Sequence, residues 1–203
     1  MTIVKRLALW NPTTWNDIRT CWDELVPESR AIQQQITRNF QALSLNSVDA
    51  GHVFERWVLE TLRLGGVSGH WSYSVQRSSG LQALEQVDGL VFEGYQGFLI
   101  ESKFLSRNVD FGPIAQLHVC VEQRPIGTLG LLFSAFGFTD PALELSSALR
   151  PIRVLLFNQN DLLWVLESRD RVKEMLRRKW RLAVRDGCSF SDVTTHLDLF
   201  GDN

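Results

Sequence analysis

No apolar run in the 203 residues approaches the roughly 18 to 20 residues of a membrane span. Met1 to Asn11 also lacks the apolar stretch and small-residue cleavage site of a secretory leader, so the expectation is a cytoplasmic protein with no membrane association. Cysteine is scarce. Cys21, Cys120 and Cys188 lie far apart, with no CxxC pair and no histidine at ligand spacing, which argues against a disulfide framework and against a zinc site. His52, His70, His118 and His196 form no HxxxH or HxE group, so none is assigned a metal or general-base role. Neither GxxxxGK[ST] nor GxGxxG occurs, leaving nucleotide-driven and dinucleotide chemistry without support. Repeats, low-complexity tracts and Gly/Ser/Pro-rich linkers are missing too, and with them any sign of a second domain.

What is present is material for one sizeable core: 44% hydrophobic residues, including seven Trp and twelve Phe. The formal charge of −2 gives no global attraction for nucleic acid, yet it is unevenly spread. Residues 150 to 185 hold ten Arg or Lys against four acids, so this segment carries +6 and the rest −8. The clustered Arg and Lys of Arg169 to Arg185 offer either a phosphate-binding face or a solvated helix face.

Periodicity and turn signals predict helices over Pro12 to Leu25, Glu28 to Leu43 and His52 to Leu64, the last capped by Asp49 and stopped at Gly65-Gly66. Trp10, Trp15 and Trp22 near the first of these are read as packing residues. Strands follow at Trp71 to Gln76, Gln86 to Phe92 and Phe98 to Phe104, with a short turn containing Gly94 and Gly97 between the last two. Next come a helix over Phe111 to Val121, a strand at Leu129 to Ser134, and a helix opened by Asp140-Pro141. Strands at Ile152 to Phe157 and Leu162 to Leu166 precede a helix over Asp170 to Arg185, with Val172, Leu176, Trp180 and Ala183 or Val184 on its buried side. The fold class is α/β, with a mixed central sheet flanked by helices. Its expected organisation is one domain over 1–203: an N-terminal helical extension (1–48), a core (49–166) and a C-terminal helical region (167–203).

The chemistry concentrates on one hairpin. Glu101 and Lys103, two residues apart on a strand, share a face, while Phe98, Ile100, Ser102 and Phe104 take the other. Asp88, near the start of the preceding strand, comes close to Glu101 across the antiparallel pair. Two carboxylates so placed do not both stay ionised cheaply without a cation between them. Mg²⁺ fits, since it takes one or two carboxylates and leaves room for phosphate and water. Glu55 falls beside Val58, Leu59 and Leu62 on the apolar side of its helix, where a carboxylate needs a partner.

Asp88 followed by Glu101-Ser102-Lys103 resembles the PD-(D/E)xK signature of restriction-endonuclease-like nucleases, and the setting is most similar to the Mrr-type branch. The resemblance covers roughly residues 49 to 157, with Val87 standing where the signature has Pro. It implies a restriction-endonuclease-like fold, phosphodiester hydrolysis, and Mg²⁺ with Mn²⁺ as a substitute. Asp88 and Glu101 would be metal ligands and Lys103 the charge stabiliser. Glu55 matches the helix glutamate that some members add as a ligand. Gln116 resembles the Gln of a QxxxY motif, although Cys120 replaces the Tyr. The implied partner is DNA, with RNA left open, in restriction, phage defence or repair. Either a homodimer, whose two-fold pair of sites cuts both strands, or a larger defence complex would house the chain. The alternative is a catalytically silent module of the same fold that binds nucleic acid or docks a complex, the ExK being then a solvated strand face.

Overall fold

The computed structural model describes residues 48–75, 85–165 and 170–192. The helices expected over Pro12 to Leu25 and Glu28 to Leu43 lie outside these residues, as do positions 193–203. Helix α1 (Val48–Leu64) includes Asp49, the residue expected at its N-cap. Its end is a glycine stop. Gly66 takes φ +82°, while the N–H groups of Gly65 and Val67 donate to the Thr61 and Leu62 carbonyls, each at 3.1 Å.

Strands β1 (Ser68–Val75), β2 (Glu85–Glu93) and β3 (Gln96–Lys103) form an antiparallel meander. The β2–β3 turn is Gly94-Tyr95, with Gly94 at φ +60°. Gly97 belongs to β3, opposite Phe92, and not to the turn as expected. Helix α2 (Phe111–Glu122) then carries the chain across to β4 (Leu129–Ser134), parallel to β3. Helix α3 (Asp140–Ala148), whose first turn is capped by the Thr139 hydroxyl, leads to β5 (Val154–Phe157), parallel to β4. The sheet order β1-β2-β3-β4-β5 is the mixed central sheet anticipated from the sequence.

The expected strand at Leu162 to Leu166 is instead part of a helix, α4 (Gln159–Val165). The cause is a reciprocal cap: Asn158 N–H donates to Asp161 Oδ2 (2.9 Å) and Asp161 N–H to Asn158 Oδ1 (3.1 Å). An apolar run alone does not distinguish strand from buried helix, and this cap does. Helix α5 (Asp170–Asp186) completes the described fold.

One core lies between the sheet and α1, α4 and α5, built from residues such as Phe54, Trp57, Leu62, Phe98, Ile100, Phe133, Phe157, Val172 and Met175. A second lies between the sheet and α2 and α3, with Leu99, Leu132 and Leu156 against Ile114, Leu117, Val121 and Ala142. Strand β3 is covered on both faces, and Glu101 alone interrupts the buried run from Phe98 to Ser102.

Helix α5 departs from the expected stripe. Val172, Leu176 and Ala183 are buried, but Trp180 and Val184 are 44% and 67% exposed, and Lys179 is buried instead. Its Nζ donates to Asp161 Oδ2 at 2.6 Å, to the Leu156 carbonyl at 2.9 Å and to the Ser191 carbonyl. The helix is also less free to act as a basic face than its charge implies: Arg177 pairs with Glu93, Arg178 with Glu174 and Arg185 with Asp186.

Candidate active site

Strand pairing places the carboxylates. The β2–β3 ladder ends at Gly89 opposite Ile100, so Asp88 and Glu101, each one residue further on, face each other where the strands part. There the Asp88 side chain takes over from the backbone: its Oδ2 accepts the Ser102 N–H at 2.6 Å. On its other side β3 remains tied to β4, with Lys103 beside Ser134 and the Ala135 N–H donating to the Lys103 carbonyl at 3.1 Å. The acid and the ammonium thus stand on a strand braced from both edges.

Glu101 and Lys103 form an ion pair with side chains 18% and 31% exposed, partly withdrawn from water yet open to a ligand. The opposite face of β3 is apolar as expected. Phe98, Ile100 and Ser102 are buried, and the Phe104 ring packs 5.6 Å from that of Phe54 on α1. This packing fixes α1 beside the site. One residue after Phe54, Glu55 pairs with His52 Nδ1 at 3.0 Å and retains 20% exposure.

The charges of Glu101 and Glu55 both act on Asp88. Burial pushes the Asp88 carboxyl up from 3.8 to about 7, and the negative charges of Glu101 and then Glu55 add to the rise. The Ser102 N–H and Lys103 pull it down without compensating. Asp88, Glu101, Lys103 and Glu55 are therefore brought together. Gln116 is not joined to them by a hydrogen bond; it lies exposed on α2.

Two contributors went unnoticed in the sequence. His52, given no role there, engages Glu55, a link that i,i+3 spacing on a helix signals. The Ser102 backbone, which holds Asp88 in place, leaves no signal in residue type.

The donor set suits a hard cation. Among the described residues no three His, Cys, Asp or Glu side chains form a ready cluster. Asp88 and Glu101 supply the one or two carboxylates that Mg²⁺ needs when water and phosphate complete its shell, and Asp88 carries excess negative repulsion that a cation relieves.

No family model matches this sequence, and no curated protein matches it. Among solved structures, the chain is similar to the MspJI restriction endonuclease in complex with a 27-mer oligonucleotide: 17% identity, TM-score 0.36, covering 76% of this chain and 33% of that one. It is similar to the DNA modification-dependent restriction endonuclease AspBHI at 13% identity and TM-score 0.42, over 75% of this chain and 41% of that one. A protein of unknown function, AF1548, aligns at 14% identity and TM-score 0.39 over 66% of this chain and 78% of its own. The chain thus spans about a third of the length of the MspJI chain.

Proposed function

We propose that this chain is a Mg²⁺- or Mn²⁺-dependent nuclease that hydrolyses phosphodiester bonds in DNA. The observation that carries the reading is Asp88, held opposite Glu101 across the β2–β3 pair by the Ser102 N–H, with the Glu101–Lys103 ion pair alongside and the charge of Glu55 acting on it. An arrangement that costs stability in the free protein is the kind that functional sites retain. The D…ExK pattern of the sequence supports the same reading.

Asp88 and Glu101 would hold the cation, and Glu55, which forms no three-ligand cluster with them among the described residues, would add negative charge beside it. When bound, the ion supplies positive charge to the phosphate and acidifies water beside it. The chain's own groups do the rest. Asp88 gives up its proton to take part, which the Ser102 N–H assists by favouring the ionised carboxylate. Glu101 holds the Lys103 ammonium in place. Lys103 then offsets the charge that grows on the non-bridging phosphate oxygens as the water oxygen bonds to phosphorus and the ester P–O bond breaks. The attacking water gives its proton to solvent, and the alcohol departs with a proton drawn from solvent.

Incubating the protein with plasmid and single-stranded DNA in Mg²⁺, in Mn²⁺ and in EDTA tests the reading. Cleavage only with metal, abolished in Asp88→Asn and in Glu101→Gln, supports it. Binding with no turnover in either metal identifies the silent module instead.

A further inference from the structure

Two residues past the strand that pairs with Lys103 stands an aromatic ring that the fold displays instead of burying. Phe133 and Phe138 are buried, but Phe136, between them, is 48% exposed. Its place is set by β4. Ser134 lies beside Lys103, and Ala135 donates to the Lys103 carbonyl, so Phe136 is the second residue past the strand end that pairs with Lys103.

Its position is held from both sides. The Ser134 hydroxyl oxygen accepts the N–H groups of Phe136 (3.3 Å) and Gly137 (2.9 Å) and donates to the Gly137 carbonyl (2.8 Å). Gly137 takes φ +128°, a conformation that L side chains rarely adopt. Beyond it, Val109 N–H donates to the Gly137 carbonyl (2.9 Å) and Thr139 N–H to the Val109 carbonyl (3.0 Å). The backbone that carries the ring is thus pinned to the loop leaving β3. That loop, residues 105–108, is exposed throughout and contributes Leu105 and Arg107. A planar apolar group exposed to water, on a segment whose strand pairs with Lys103 and whose backbone is tied to the end of the loop bearing Arg107, matches a nucleotide in two parts, phosphate for the cations and base for the ring.

We infer that Phe136 is a stacking platform for a nucleobase unstacked from its neighbour, on the nucleotide next to the bond that is cut. The substrate class is then DNA that is single-stranded, or opened at the cleavage point. This inference rests on the nuclease reading and deepens it.

The test measures binding, so that cleavage does not enter. Affinities for a single-stranded oligonucleotide are measured in EDTA for the native protein, Phe136→Ala, Phe136→Leu and Phe136→Tyr. They are then measured again with one abasic residue walked along the strand. Base–aromatic stacking predicts a loss of about fivefold or more for Ala and Leu and near-native binding for Tyr. It also predicts one abasic position that weakens the native protein and leaves Phe136→Ala unaffected. Equal affinity of Phe136→Ala and native protein, or the same abasic penalty in both, overturns the inference while the nuclease reading stands. Native protein that binds no DNA and cuts none in Mg²⁺ or Mn²⁺ overturns both.

Discussion

The Ser102 N–H meets Asp88 Oδ2 at 2.6 Å in the gap where β2 and β3 part, and one hydrogen bond does not offset the burial and like charge around that carboxylate. The sign of the consequence is definite. A carboxyl whose folded-state value rises from 3.8 to about 7 binds its proton more tightly folded than unfolded. The metal-free protein therefore loses stability as pH rises between about 4 and 7. Asp88→Asn cannot ionise and removes this loss. Thermal melts in EDTA are expected to show the mutant more stable than native near pH 8 and little different near pH 4.

Divalent metal should reverse that penalty. Because the carboxylates must shed their protons to bind it, Mg²⁺ or Mn²⁺ is expected to raise the melting temperature near pH 8 more than near pH 5. In Asp88→Asn the rise should shrink or vanish. A metal-induced shift of equal size in native and mutant protein would place the ion elsewhere.

Lys179 and Asp161 make a separate prediction, about stability alone. Both are buried, and burial pushes the Lys179 ammonium below its ordinary range against the pull of Asp161. Lys179→Met strands a carboxylate in the core and is expected to cost about 3–5 kcal/mol in urea denaturation. Adding Asp161→Asn, which preserves the cap on Asn158, should recover a substantial part.

Gly65, just past α1, lies against Val172 of α5. A methyl group there would meet Val172 Cβ at 2.2 Å, so Gly65→Ala must shift α5 or the end of α1. The expected loss is about 1–3 kcal/mol, read from the denaturation midpoint at unchanged slope.

These residues also mark how far the sequence could be read. The hairpin was legible because alternation along β3 and the glycine after β2 are local signals, and Glu101 and Lys103 share a face by the period of a strand alone. Glu55 was legible from helical spacing. Helix α4 was missed because its apolar run dominates, although the Asn158–Asp161 cap is written three residues apart. Trp180 was misplaced, while Ala183 of the Ala183 or Val184 pair is buried as expected, because an apolar stripe says nothing of a distant carboxylate, and Asp161 draws Lys179 into the position a hydrophobic residue was expected to fill. The rise at Asp88 depends on three segments meeting, which no spacing encodes.

The central claim is that Lys103, positioned by Glu101, serves bond cleavage and not DNA affinity. Single-turnover cleavage in Mg²⁺, with protein in excess of its dissociation constant, separates the two for native protein and Lys103→Met. The expected result is binding within about threefold of native and cleavage slower by about 100-fold or more. Cleavage by Lys103→Met at the native rate, or native cleavage undiminished in EDTA, would contradict the account.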